Sequence, residues 1–146
     1  MRILAIDPGE TNGWAVLDNT EGTVVTNELS GWKDLEMLLD QVKPTHIVAE
    51  AFRLYPGKAA VMGGSNLQTV RTLGVLQFLA WRREIPYKEQ SAADAKFIRL
   101  SESARLETCK GSLHKADALR HAFLFLIRCK GPYDNMLNYL QRDPEK

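Results

Sequence analysis

The sequence predicts an α/β fold: a mixed five-stranded sheet, made of an antiparallel three-strand meander plus two parallel strands, flanked by helices. Three observations predict it. Three short apolar or β-branched runs follow one another with only turn formers between them, which is the pattern of a meander. A helical period then sets in at Trp32. After it, single strand-like runs alternate with helical stretches, the pattern of crossover connections onto parallel strands.

The first strand is Arg2-Ile3-Leu4-Ala5-Ile6-Asp7, nearly all apolar and short. Pro8 to Gly13 is rich in turn formers. Trp14-Ala15-Val16-Leu17 resumes strand character, Asn19 to Gly22 turns, and Thr23 to Glu28 is dense in β-branched residues. Trp32, Leu35, Leu38, Leu39 and Val42 recur at helical spacing, with Pro44 just beyond. His46 to Phe52 is apolar on both faces except at Glu50, as in a central strand covered on two sides. Residues 53–65 read as a long mobile loop, a length that is uncommon without function. A helix over 66–84 carries Leu67, Val70, Leu73, Leu76 and Leu79, with Val75, Phe78 and Trp81 outside that stripe. So wide an apolar arc needs a second partner, either other elements of the chain or another subunit. Pro86 to Gln90 is a fifth strand, Ala92 to Leu100 a helix, 101–113 polar and irregular, and Leu113 to Lys130 a last helix.

At 146 residues and 16.5 kDa the chain has the size of one domain, 1–146, with a C-terminal tail from about 131. Apolar residues at 45% and charged residues at 25% exclude a disordered chain. No apolar run approaches the ~18 residues of a membrane span, and Asp7 interrupts the first one before it could be a signal-peptide core. A cytoplasmic location is expected. Cys109 and Cys129 form no CxxC pair, so no zinc site is expected and both are read as reduced and structural. Net charge is +1, but residues 1–52 carry 3 basic against 9 acidic side chains and residues 53–146 carry 16 against 9. That asymmetry allows a basic, phosphate-binding face on a near-neutral molecule; uneven charge on solvated helices accounts for it equally well.

Two acids stand where aliphatic strands end. Asp7 closes the first strand, where ligand sites of α/β sheets gather, although it could simply cap the Pro8-Gly9 turn. Glu50 shares a strand face with Val48 and is costly to bury unpaired, unless the strand end is already in solvent. On the last helix His114 and Asp117 share a face, and His121 follows one turn on. The arc of Leu113, Ala116, Phe123 and Ile127 is read as the core side, so His121 is expected on an exposed polar stripe. Asp7, Glu50, Asp117 and His114 together are an oxygen-rich set with one imidazole, suited to hard cations such as Mg²⁺ or Mn²⁺. Two such ions can hold a phosphodiester, activate water and stabilise the leaving oxygen.

At these residues the chain resembles the RuvC-like Holliday junction resolvases of the RNase H-like superfamily. Ile3 to Gly9 with Thr11-Asn12-Gly13-Trp14-Ala15-Val16 is similar to that family's first hairpin. Val48-Ala49-Glu50 is similar to its acidic fourth strand, and His114-Lys115-Ala116-Asp117-Ala118 to its last-helix motif. The resemblance runs from Met1 to about Lys130, and its compact form looks most like phage-encoded members. It implies a homodimer, paired through the helix at about 66–84, that binds four-way DNA junctions and nicks two opposing strands symmetrically. It implies two Mg²⁺ or Mn²⁺ ions, Asp7 bridging them, Glu50 and Asp117 completing the shell, and His114 ligating a metal or steering the leaving oxygen. Phe52 and Tyr55 are candidates for the aromatic wedge that opens a junction. Arg53, Lys58, Arg105, Lys110 and Lys115 are candidate phosphate contacts, although the stretch 99–115 is shorter and differently charged than in bacterial members. Phage relatives often cut flaps and forks as well, so a broader branched-DNA nuclease, or one acting on RNA-containing substrates, is the alternative. A junction-binding protein without catalysis would have no need of four metal ligands. The Asp7 to Gly13 loop is also similar to the phosphate loop of actin-like ATPases, but those need two domains and a second such loop.

Overall fold

Strand β1, Arg2–Asp7, forms because its four central residues are apolar and lie between two covered faces. The computed structural model describes residues 1–52 and 64–142. β1 pairs antiparallel with β2, Thr11–Asp18, and β2 with β3, Thr23–Ser30, completing the expected meander. Helix α1, Leu35–Val42, crosses over to β4, His46–Glu50, which lies parallel to β1. Helix α2, Gly64–Arg82, leads to β5, Tyr87–Gln90, parallel to β4. The sheet order is β3-β2-β1-β4-β5. The order follows from the connections, because hairpins keep neighbours antiparallel and helical crossovers make β1, β4 and β5 parallel. No described helix is long and apolar enough to cross a membrane.

Strand alternation splits the core into two layers. Leu4, Ile6, Ile47 and Ala49 face α1 and α2, meeting Leu35, Leu39 and Leu76. Ile3, Ala5 and Val48 face helix α4, Leu113–Arg128, meeting Leu119, Ala122, Phe123 and Leu126. Each fully buried large side chain of this kind contributes about 1.5–3 kcal/mol. Residues after α4 close the second layer: a 3₁₀ turn, Asp134–Tyr139, buries Met136 completely, and Leu140 bridges back to Leu100.

Three expectations need correction. Helix α3 spans only Ala92–Ala95, capped by the Ser91 hydroxyl accepting from the Asp94 N–H, and Phe97 beyond it is exposed. Residues 101–113 are not irregular throughout: Ala104–Thr108 makes a π-helical turn with Ala104 and Cys109 buried. On α4, Leu113 and Ile127 are exposed, so the core side expected to run through them does not extend to the two ends of the helix. Cys109 is buried in the α4 layer and Cys129 is exposed; both are free thiols.

Candidate metal centre

The two strand-end acids lie on the α4 side of the sheet for a simple reason of parity. Ile3, Ala5 and Asp7 alternate onto one face, and so do Val48 and Glu50. β1 and β4 are parallel neighbours, so both acids arrive at the same end of the sheet. Asp117, at the start of the second turn of α4, supplies the third. The start of the helix is fixed by Ser112, whose hydroxyl accepts from the Lys115 N–H at 3.3 Å and donates to Glu28 on β3 at 2.6 Å. Gly111 precedes the cap with φ +73°, a left-handed conformation that glycine adopts at no steric cost. Gly13, opposite Asp7 in the β1–β2 ladder, gives the helix its close approach: a Cβ there would overlap the His114 backbone.

The result is a cluster of three carboxylates. One oxygen from each of Asp7, Glu50 and Asp117 lies within 4.8 Å of the others. The Asp7 side chain is 13% exposed and the His114 ring 55%; His114 Nδ1 lies 3.1 Å from Asp7 Oδ2. Arg120, one turn past Asp117, donates to Asp117 Oδ1 at 2.7 Å. Burial, then the charges of Glu50 and Asp117, push the Asp7 carboxyl up to about 6, with the His114 hydrogen bond working in the opposite direction. Three acids converging within 4.8 Å, with the charges of Glu50 and Asp117 both bearing on Asp7, suit a divalent cation. A donor set made only of carboxylate oxygens fits a hard ion such as Mg²⁺ or Mn²⁺, while His114 stands beside the trio rather than in it.

A cleft of about 320 Å³ opens on Asp7 and Glu50 and is walled by Phe52, Thr69 and Ser91. Phe52 is half-buried at its wall and packs against the α1–α2 layer. Arg53, Tyr55 and Lys58, with most of the expected loop, lie outside the described residues. Arg105 and Lys110 are exposed and Lys115 is half-buried on the first turn of α4.

His121 differs from its expected place. It is fully buried, not on an exposed stripe, with Nε2 3.2 Å from Glu50 Oε2 and Nδ1 3.0 Å from Gln90 Oε1. Asn12 was not singled out from the sequence, yet it is fully buried and fastens the loop after Asp7. Its Oδ1 accepts from the Gly9 N–H at 2.9 Å and its Nδ2 donates to the Gly31 carbonyl at 2.5 Å. An Asn three residues after a Pro-Gly turn is the signal that could have identified it. Arg120 could likewise have been found from its i+3 spacing to Asp117.

No protein-family model matches the chain, and no curated protein matches it in sequence. Solved structures do match in shape. Thermus thermophilus RuvC in complex with a Holliday junction substrate superposes with a TM-score of 0.62 at 15% identity, covering 88% of this chain and 96% of that one. A second T. thermophilus RuvC structure gives 0.60 at 16% identity, covering 89% and 97%. The yeast mitochondrial Holliday junction resolvase Ydc2 gives 0.50 at 15% identity, covering 84% and 75%. The mixed sheet, its strand order and the helices that flank it give this chain the RuvC-like form of the RNase H-like fold.

Proposed function

We propose that this protein is a metal-dependent, structure-selective DNA endonuclease that resolves four-way junctions by paired symmetric nicks, residues 1–146 acting as one nuclease domain. The observation that carries the reading is the convergence of Asp7, Glu50 and Asp117 on a fold shared with a RuvC bound to a junction. Two divalent ions, Mg²⁺ or Mn²⁺, supply an activated water and stabilisation of the leaving oxygen when bound. Asp7 would be the carboxylate shared by the ions, and Glu50 and Asp117 would complete the shell; the convergence of the three acids supports this reading. His114 orients Asp7 through Nδ1 and, being half exposed, can reach the departing phosphate oxygen. Arg120 holds one Asp117 oxygen and so fixes its rotamer.

Branched DNA would enter over the cleft, with Phe52 at its wall and Arg53, Tyr55 and Lys58 following it in sequence. Arg105, Lys110 and Lys115 are the phosphate contacts on the α4 side. Symmetric nicking needs two sites, and α2 offers the surface for a second copy. Leu67, Val70, Phe78 and Trp81 lie on one side of that helix at helical spacing and are 47%, 45%, 52% and 74% exposed.

The test is substitution with folding monitored. Glu50→Gln and Asp117→Asn should each lower single-turnover nicking of a synthetic four-way junction by at least about a hundredfold, as expected for groups acting on the reacting phosphate. Both variants should keep the wild-type circular dichroism spectrum. Folded variants that nick at the wild-type rate would remove these residues from the reaction.

A further inference from the structure

His121 is a buried polar side chain for which the proposed chemistry has no assigned use. It has no solvent exposure, on a stretch of α4 where Ala118, Ala122 and Phe125, its helical neighbours, are all buried and apolar. An imidazole in such a layer is disfavoured unless both ring nitrogens are engaged. Here both are, by Glu50 Oε2 at 3.2 Å and by Gln90 Oε1 at 3.0 Å. Gln90 is itself 2% exposed, ends β5, and is the register partner of Glu50 on β4. The ring thus ties two neighbouring strand ends to α4, touching one of the three clustered carboxylates directly.

We propose that His121 is a positioning residue that donates its Nε2 hydrogen to Glu50 Oε2 and so fixes that carboxylate for cation binding, with Gln90 holding the ring from its Nδ1 side. This rests on reading Asp7, Glu50 and Asp117 as a metal centre. A carboxylate that serves a cation only accepts hydrogen bonds, so the ring nitrogen facing it must carry the hydrogen. The Gln90 side points the same way. With Oε1 toward the ring, Gln90 Nε2 is buried without a hydrogen-bond partner among the described residues. Turned over, that amino group donates to Nδ1, which leaves the ring hydrogen on Nε2. Orphaned acceptors are better tolerated than orphaned donors, which favours this orientation.

The experiment measures Mn²⁺ affinity of the full chain by calorimetry, independently of nicking. His121→Met keeps similar bulk and removes the donor. It should weaken Mn²⁺ binding about tenfold to a hundredfold, the usual effect of losing a hydrogen bond to a metal ligand. His121→Gln returns a side-chain N–H at the reach of Nε2 and should recover most of that affinity. His121→Met binding Mn²⁺ like the wild type, or His121→Gln binding as weakly as His121→Met, would overturn the inference. If His121→Met does not fold, ¹⁵N NMR of the wild-type ring decides: a protonated Nε2 supports the assignment and a bare Nε2 overturns it. Glu50→Gln serves as the control for the site itself. If it keeps wild-type Mn²⁺ affinity, the metal-centre reading fails and takes this inference with it. If Glu50→Gln weakens binding while His121→Met does not, the inference alone fails.

Discussion

Asp7→Asn should abolish nicking and at the same time make the metal-free protein more stable at neutral and alkaline pH. The Asp7 carboxyl titrates near 6 in the folded chain against an ordinary value of 3.8, chiefly because it is buried beside Glu50. A shift of that size corresponds to about 3 kcal/mol. Because the folded value is raised, the stability linked to Asp7 is fully present below pH 3.8 and is lost as pH rises through about 6. Above that, the ionised Asp7 destabilises the native state, whereas an asparagine of the same shape is neutral at every pH and its Oδ1 can still accept from His114. Thermal unfolding in EDTA at pH 8 should therefore place Asp7→Asn above the wild type. At about 3 °C per kcal/mol for a domain of this size, the gap is up to about 9 °C. It should close as pH falls below 4. Mn²⁺ should then stabilise the wild type by up to about 2.7 kcal/mol at a hundredfold excess over Kd, about 8 °C in Tm, and barely move the variant. An Asp7→Asn protein that melts with or below the wild type at pH 8 in EDTA would refute the electrostatic reasoning.

Other consequences concern packing, charge and assembly. Gly13→Ala should cost about 1–3 kcal/mol in urea unfolding, because its methyl group overlaps the His114 backbone, and it should slow nicking by moving α4 off Asp7; a variant with wild-type stability and rate would contradict that packing. Junction affinity should fall by about a thousandfold between 50 and 200 mM salt if about six phosphates are contacted, and a flat response would argue against the basic face. Phe78→Asp with Trp81→Asp should turn a dimer into a monomer in sedimentation while keeping the wild-type circular dichroism spectrum, since both side chains are exposed on α2; a wild type that is already monomeric, or a variant that still dimerises, would exclude this helix as the contact.

Much of this arrangement is written in local pattern. Alternation in β1 and β4 puts Asp7 and Glu50 each at a strand end, and the helical period puts His114 and Asp117 on one turn; that the three motifs meet followed from their shared chemistry and the family resemblance, not from spacing. The mixed sheet was legible because hairpins and crossovers fix which pairs are antiparallel and which parallel, while the strand order β3-β2-β1-β4-β5 is given by the structure. What escaped was set by tertiary cover. His121 shares a helix face with Asp117, which made it look exposed, but the sheet end carrying Glu50 and Gln90 covers that part of α4. Leu113 and Ile127 carry the right apolar character for a core, yet both are exposed, near the two ends of α4. Helix α3 stops at Ala95, where the chain turns with Lys96 and Phe97 toward solvent; helix propensity in 92–100 held no sign of that. Met136 lies in a segment without strong periodicity, so its complete burial against the α4 layer could not be read from spacing.

The central claim is metal-dependent cutting at branched DNA, and one assay addresses it directly. A synthetic four-way junction, a flap, a linear duplex and an RNA–DNA hybrid are incubated with the protein in Mn²⁺, in Ca²⁺ and in EDTA. The account predicts paired symmetric nicks on the junction in Mn²⁺, binding without cleavage in Ca²⁺, and no cutting in EDTA. Equal cutting of flap and junction would keep the metal centre but widen the substrate class. Rapid cleavage in EDTA, or no cleavage of any substrate in Mn²⁺, would contradict the account.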